Sequence, residues 1–242
     1  MKILAVDAST EACSAAVYVN GEIVERLTVA PRKHIELLMP MAKEVMEAAE
    51  ISFKDLDGLA FAVGPGSFAG LRIACGFIQG LGTGLNLPIV PVSTLAALAF
   101  PVLEEHPDAI VMPMLDAKMN EVYWGLYRFD QDGDIESIEK DQVGTLESIY
   151  HYFADREIEV LGIGDGWGLD SAAVERLHAK MIVDRHYPRA GDIALLARRD
   201  LERGLGLYAD QVSPVYLRHN IALTIEEQQA LREAKAENQA GE

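Results

Sequence analysis

The sequence has few cysteines, few basic residues and no helix-spaced histidines, and each shortage excludes a class of protein. Only two cysteines, Cys13 and Cys75, occur in 242 residues, which argues against a disulfide scaffold or a cysteine zinc site. None of the six histidines lies three or four residues from another, so no helix carries a histidine metal pair. Lysine and arginine number 21 against 38 acidic residues, a net charge of −17. Because nucleic-acid affinity depends on basic side chains that displace counterions, the chain alone is not expected to bind tRNA or DNA.

The start of the chain and its longest apolar stretch lack the features of targeting and membrane segments. Residues Met1 to Asp7 become acidic before a signal-peptide hydrophobic region could form. The stretch from Ile73 to Val92 is interrupted by glycines and by Asn86-Leu-Pro88, which would stop a helix before the roughly 20 residues that a bilayer requires. We therefore expect a cytoplasmic protein with no membrane span.

Segments in which hydrophobic residues have the spacing of a strand alternate along the chain with segments in which they have the spacing of a helix. The first half begins with three strands, the last two joined by a hairpin turn at Asn20-Gly21. A helix follows from His34 to Ala49, in which Pro40 predicts a kink or a late start. A strand, a helix over 67–85, and a further strand and helix complete this half. The second half repeats three strands, a helix, a strand and a helix.

The repeated order predicts an α/β fold of two lobes, each a βββαβα unit with helices on the faces of a mixed sheet. The length of the chain is sufficient for two small domains with cores of their own. We expect an N-terminal lobe at 1–105, a C-terminal lobe at 106–220, and a polar tail at 221–242 that is frayed or disordered.

One long segment of the first half is almost uncharged. From Gly58 to Leu103 the only charged residue is Arg72, so the segment must be buried in the core or against a partner. Its glycine loop, from Gly64 to Gly70, has neither the Lys-Ser/Thr of a Walker loop nor the spacing of GxGxxG, and its serine is not in a GxSxG elbow. We interpret the loop as a turn in which Ser67 caps the following helix.

Three glycines, Gly76, Gly80 and Gly84, lie four residues apart and share one face of that helix. A glycine inside a helix costs about 0.5–1 kcal/mol relative to alanine, so three on one stripe indicate that another element approaches closely. Packing within the domain and a subunit interface both explain the stripe, and the sequence leaves both open.

Five residues are weak candidates for a nucleotide site. Asp7, Ser9 and Thr10 form a turn after an apolar strand, where a carboxylate could orient hydrated Mg²⁺ and hydroxyls could hold phosphate oxygens. The simpler interpretation is that these side chains satisfy the amides of their own turn. Gly164 and Gly166 lie in a glycine-rich loop after a strand, which could receive a base or could merely join two elements.

The most specific motifs lie in four segments of the first 130 residues and one near the end. They are Ile3 to Thr10, Ala62 to Ile73, Leu87 to Ser93, Asp116 to Tyr123 and Pro214 to Arg218. In these segments the chain resembles the TsaB (YeaZ) family. The GPGSFAGLR run of the second segment is specific, whereas the DAST turn of the first is shared by the actin, Hsp70 and sugar-kinase (ASKHA) superfamily. The resemblance implies the two-lobed ASKHA fold, in agreement with the duplicated order of elements.

The TsaB family is similar to the catalytic paralogue TsaD, which transfers a threonylcarbamoyl group from its adenylate to N6 of adenosine 37 in tRNAs that read ANN codons. TsaD carries a His-x-x-x-His metal pair where this chain has Thr94 and Leu98, and neither side chain can replace an imidazole ligand. The resemblance therefore implies a non-catalytic accessory subunit without a metal or a firm cofactor, and leaves a weak or interfacial ATP or ADP site open. It implies pairing with TsaD, a homodimer when TsaD is absent, assembly with the ATPase TsaE, and contact with tRNA only through the complex.

The resemblance also implies where this pairing occurs, namely on the first two long helices of the first lobe. The methionines of the first helix, Met39 among them, suit a surface that repacks against different partners. The interface residues expected on these helices are Leu38, Met41, Val45, Ile73, Gly76, Phe77, Gly80 and Gly84.

The alternative is an independent ATP-dependent kinase or ATPase of the same fold, motivated by the turn at Asp7 and the glycine loop around Gly164. Such an enzyme needs a catalytic carboxylate in the second lobe, and Asp116 is the only obvious candidate. A peptidase activity has no nucleophile, base or metal to support it.

Overall fold

The computed structural model describes residues 1–156, 158–170, 172–183 and 185–218, so the predicted tail lies outside the described residues. Its strands form two five-stranded sheets, one from each half of the chain. The N-terminal sheet contains Lys2–Asp7 (β1), Ala12–Val19 (β2), Glu22–Val29 (β3), Gly58–Gly64 (β4) and Ile89–Ser93 (β5). The C-terminal sheet contains Val111–Lys118 (β6), Glu121–Phe129 (β7), Ile135–Thr145 (β8), Val160–Ile163 (β9) and Ala179–Met181 (β10). The helices are His34–Ala48 (α1), Phe68–Leu85 (α2), Thr94–Glu105 (α3), Leu146–Phe153 (α4), Ala173–Arg176 (α5) and Ala190–Glu202 (α6).

The two sheets have the same topology, which confirms the predicted duplication. Their strand orders are β3-β2-β1-β4-β5 and β8-β7-β6-β9-β10. The first three strands of each half pair antiparallel, and the fourth and fifth add in parallel. Each half follows the order βββαβαβα. The elements predicted for the first half already have this order, but the predicted βββαβα unit, and with it the second half, is one strand and one helix too short. In the second half the missed pair, β10 and α5, has only three and four residues, too few to show a periodic pattern.

Local signals place the turns and helix ends. Asn20 and Gly21 have φ angles of 50° and 111°, as the predicted hairpin turn requires. Ser67 caps α2, because its Oγ accepts a hydrogen bond from the Gly70 amide at 3.4 Å. Helix α1 runs from its predicted start through Pro40. Of the two effects expected of this proline, the late start is therefore wrong, and the kink stays a prediction.

Helices α1 and α2 cover one face of the N-terminal sheet, and α6 covers the other. Strand β1 shows the division, because Leu4 and Val6 pack with α1 and α2, whereas Ile3 and Ala5 pack with α6. Successive side chains of a strand point to opposite faces. The outer sides of α1 and α2 therefore belong to the same surface of the molecule.

Helices α3 and α6 cross between the lobes. Helix α3 comes from the first half of the chain, but its Leu95 and Leu98 pack with Leu115 of the C-terminal sheet. Helix α6 comes from the second half, but it packs on the N-terminal sheet. By packing, α3 therefore contacts the C-terminal sheet and, through Ala97, the core of the N-terminal lobe, whereas α6 covers the N-terminal sheet. The division of the lobes at residue 105 stays a prediction.

After α6 the chain returns along the flank of α2. Leu207 pairs with the start of β5 at the edge of the N-terminal sheet. The side-chain amide of Gln79, on α2, donates hydrogen bonds to the carbonyl oxygens of Ala209 and Val212 at 3.1 and 2.9 Å. This path brings residues 214–218 to the space between the lobes.

Candidate functional site

A cleft of about 440 Å³ lies between the two lobes, a volume within the range of small-ligand sites. The turn after β1, the glycine loop before α2, the β6–β7 hairpin and residues 215–218 form its walls. Four of the five segments with the family motifs therefore meet at one place. The lining includes Ser9, Thr10, Gly66, Ser67, Phe68, Asp116, Lys118, Tyr123, Asp165, Tyr216 and Arg218.

The glycine loop lies directly on the turn after β1. The amide of Ser67 donates a hydrogen bond to the carbonyl oxygen of Ser9 at 2.7 Å. A Cβ on Gly66 would lie 2.4 Å from the same oxygen, and a Cβ on Gly70 would lie 1.8 Å from the carbonyl oxygen of Ala8. Because only glycine permits so close a backbone approach, packing against the turn explains Gly66 and Gly70.

Asp7 is completely buried and does not line the cleft. Its Oδ1 accepts a hydrogen bond from the Ser9 amide at 2.9 Å, and the Thr10 hydroxyl accepts one from the Ala12 amide at 3.2 Å. Burial raises the pKa of Asp7 to about 6. These are the bonds of a turn that satisfies its own amides. Of the five nucleotide candidates, only Ser9 and Thr10 line the cleft.

Gly164 and Gly166 pack against strand β6, and neither lines the cleft. A Cβ on Gly164, whose φ is 106°, would lie 2.2 Å from the carbonyl oxygen of Met114. A Cβ on Gly166 would lie 2.9 Å from the backbone nitrogen of Leu115, the next residue of β6. Asp165, which lies between them, is the residue that reaches the cleft. Its Oδ1 accepts a hydrogen bond from the Asp116 amide at 3.0 Å.

Three carboxylates surround one lysine in the cleft. The Nζ of Lys118 lies 2.8 Å from the carboxylate of Asp116 and 3.8 Å from that of Glu11, which belongs to the opposite lobe. The bond to Asp116 raises the pKa of Lys118, and the charges of Glu11 and Asp165 add to this effect. Burial raises the pKa of Asp165. The only obvious catalytic carboxylate, Asp116, is thus engaged in an ion pair.

The predicted interface residues of α1 lie inside the molecule. Leu38, Met41 and Val45 are buried in the core between α1, α2 and the N-terminal sheet, so their assignment to a partner surface is corrected. An apolar stripe at helical spacing faces the core of its own domain. On α2, Ile73 and Phe77 are half-buried at the edge of this core.

The glycine stripe of α2, in contrast, is open. Gly76, Gly80 and Gly84 are exposed, and apart from adjacent residues and the surrounding helix backbone, a Cβ on any of them would have no atom of the described residues within 4 Å. On the neighbouring helix α1, Ile35 is 73% exposed and Met39 41%. We call these five residues the docking face. No helix of the described residues, α2 included, is long and apolar enough to cross a membrane.

Thr94 and Leu98, which the family resemblance implies stand where TsaD carries its histidine pair, are buried in α3. The Thr94 hydroxyl has no hydrogen-bond partner among the described residues. A Cδ atom of Leu98 lies 2.9 Å from where a Cβ of Gly164 would be, so this part of α3 packs closely on the loop after β9. Within the described ranges no three histidine, cysteine, aspartate or glutamate side chains lie close enough to hold a metal ion.

Two lobes with duplicated sheets and a cleft between them define the ASKHA class of proteins. Residues 28–177 match the family model of TsaD, tRNA N6-adenosine threonylcarbamoyltransferase. The chain is 33% identical over 228 residues to the tRNA threonylcarbamoyladenosine biosynthesis protein TsaB of Escherichia coli (strain K12), across 92% of this chain and 96% of that protein. It belongs to the TsaB (YeaZ) family.

Solved structures of relatives share the fold over nearly their full length. The structure of YeaZ from Pseudomonas aeruginosa superposes with a TM-score of 0.76 at 35% identity, across 89% of this chain and 99% of that one. A second Pseudomonas aeruginosa structure, of a protein with similarity to the peptidase YeaZ, superposes with a TM-score of 0.79 at 36% identity, across 90% and 99%.

Proposed function

We propose that the chain is a non-catalytic accessory subunit of a cytoplasmic tRNA threonylcarbamoyltransferase complex. In this role it pairs with a TsaD-type catalytic subunit, assembles with a TsaE-type ATPase, and is required for threonylcarbamoyl transfer to N6 of adenosine 37 in tRNAs that read ANN codons. Membership of the TsaB family supports the pathway. Thr94 and Leu98, in place of the TsaD histidine pair, support the assignment of catalysis to the partner.

The docking face carries this proposal. Helix α2 has a single charge, Arg72, in a chain with a net charge of −17, so a second copy or another acidic protein meets little repulsion there. The open glycines let the backbone of a partner helix approach closely. Exposed methionine and isoleucine side chains add apolar area on the same surface. The same face serves the homodimer when the catalytic subunit is absent.

Sedimentation velocity of the chain, alone and mixed with the TsaD-type subunit, tests this docking. Gly80→Leu places a branched side chain in the middle of the face, so we expect it to abolish both dimers while the monomer keeps its circular dichroism spectrum. Gly168→Leu is the matched control, because Gly168 is equally open but lies in the loop after β9. Undiminished association of Gly80→Leu would refute docking through α2.

The alternative, an independent ATPase, draws support from the volume of the cleft and from the hydroxyls of Ser9 and Thr10 in its wall. The buried position of Asp7 and the ion pair of Asp116 weigh against it. Calorimetric titration of the isolated chain with ATP and Mg²⁺ separates the two proposals. Saturable binding heat supports the alternative, and a flat titration removes it.

A further inference from the structure

Residues 214–218, which we call the strap, lie across the end of β4. The amide of Val215 donates a hydrogen bond to the carbonyl oxygen of Val63 at 2.8 Å. Gly64 makes this approach possible, because its φ is 128° and a Cβ there would lie 2.4 Å from the carbonyl oxygen of Val215. The first glycine of the GPGSFAGLR run is therefore explained by the strap, whereas Gly66 and Gly70 are explained by the turn after β1.

At the N-terminal lobe the strap holds the first turns of α2. The Nε of Arg72 donates a hydrogen bond to the hydroxyl of Tyr216 at 3.0 Å. The Tyr216 ring lies 5.0 Å from the ring of Phe68, and the Arg72 guanidinium carbon lies 3.9 Å above that same phenylalanine ring. Arg72 precedes Gly76 and Gly80 at the same four-residue spacing, so it stands on the same stripe. The strap thus fixes the one charged side chain of α2, which lies beside the glycines of the docking face.

At the C-terminal lobe the strap holds the β6–β7 hairpin. The guanidinium of Arg218 pairs with the carboxylate of Glu121, and one of its nitrogens lies 3.6 Å from the Met119 sulfur. Lys118, Met119 and Asn120 in this turn have φ angles of 63°, 59° and 60°. Residues with a Cβ rarely adopt this left-handed conformation, because the Cβ crowds the carbonyl oxygen. Such a turn persists only where surrounding contacts hold it, and Arg218 supplies one of them.

We propose that the strap closes the cleft and couples its width to the docking face. The strap contacts α2 through Tyr216 and the β6–β7 hairpin through Arg218, so the hairpin cannot move away from α2 unless one set of contacts breaks. When the strap releases α2, Arg72 loses its partner beside the glycine stripe. A partner that binds the face with Arg72 in place therefore favours the closed cleft, and a closed cleft favours the partner to the same extent. The coupling, but not the closure, rests on the proposed function.

Inter-lobe distances test the closure. The lobes can be labelled with nitroxides at two exposed positions, Lys43→Cys in α1 and Lys180→Cys in β10. Pulsed electron paramagnetic resonance then measures the distance between the two labels. Arg218→Gln and Glu121→Gln break the same contact from its two sides, and we expect both to lengthen or broaden the distance distribution. Arg128→Gln is the matched control, because it breaks an exposed ion pair 2.9 Å long on the same sheet. If both Arg218→Gln and Glu121→Gln gave the distance distribution of the parent, the proposal that the strap closes the cleft would be wrong.

Dimerisation tests the coupling. We expect Tyr216→Phe, which removes the hydroxyl that Arg72 contacts, to weaken the homodimer, measured by sedimentation equilibrium, by about fivefold or more, although Tyr216 lies outside the docking face. An unchanged dissociation constant for Tyr216→Phe would overturn the coupling. If the parent chain forms neither the homodimer nor a complex with a TsaD-type subunit, the proposed function fails and the coupling fails with it. The distance measurement still decides whether the strap closes the cleft.

Discussion

Replacing the exposed glycines of α2 with alanine should stabilise the monomer, although these glycines form the docking face. A glycine in a helix interior costs about 0.5–1 kcal/mol relative to alanine, because it has more freedom to lose when the chain folds. At Gly76 and Gly80 an added Cβ meets no atom of the described residues within 4 Å, so no clash offsets this gain. We expect the double variant Gly76→Ala/Gly80→Ala to raise the free energy of unfolding by about 1–2 kcal/mol. The melting temperature should rise by about 2–8 °C, at about 2–4 °C per kcal/mol for a chain of this size.

Urea unfolding followed by circular dichroism measures the change, at a protein concentration low enough that dimerisation adds no stability. Gly70→Ala is the control on the same helix. Its Cβ would lie 1.8 Å from the carbonyl oxygen of Ala8, so the backbone must shift and the free energy of unfolding should fall by about 1–3 kcal/mol. If the double variant lost stability as Gly70→Ala does, the stripe would be packed inside the fold and the docking face would not exist.

Two further predictions concern buried groups. Burial raises the pKa of Asp192 to about 7 against the opposing charge of Arg185, so the stability that its proton contributes is complete below about pH 4 and is lost as the pH rises to about 7. In the parent, this loss lowers the free energy of unfolding by up to about 4 kcal/mol between about pH 4 and 7, and Asp192→Asn should remove the loss. Urea unfolding at a series of pH values measures it, and an equal pH dependence of variant and parent would contradict the raised pKa of Asp192. Gly64→Ala should lower the melting temperature, because it combines a φ of 128° with the 2.4 Å approach of the strap; calorimetry showing no loss relative to Gly168→Ala would show that the strap does not press on this residue.

Hydrophobic spacing was sufficient to predict most helices and strands, but the interface residues that were expected on α1 from the family resemblance were wrong. Leu38, Met41 and Val45 repeat at helical spacing because they face the sheet, and a partner surface must lie on the opposite side of the helix. The sequence does identify this opposite side of the helix, through apolar residues that do not belong to the buried stripe. Ile35 and Met39 fall outside the buried stripe, and neither was among the predicted interface residues, although Met39 was expected to suit such a surface.

The cleft depends on contacts that no local pattern reveals. Tyr216 meets Arg72, and Arg218 meets Glu121, only because the chain returns along α2 after α6 crosses to the N-terminal lobe. Short irregular segments such as the strap have no periodicity, so their partners cannot be deduced from spacing. Asp165 was also missed, although a charged residue between two glycines in a strand-to-helix loop is a recognisable candidate for a cleft wall.

Reconstituted tRNA modification tests the central claim most directly. Threonine, bicarbonate, ATP, tRNA and the TsaD- and TsaE-type partners are combined with this chain, without it, or with its Gly80→Leu or Gly168→Leu variants, and the modified nucleoside is quantified by mass spectrometry. The accessory role predicts modification with the parent chain and with Gly168→Leu, and background levels without the chain or with Gly80→Leu. An equal yield in the reaction that lacks the chain would contradict the accessory role.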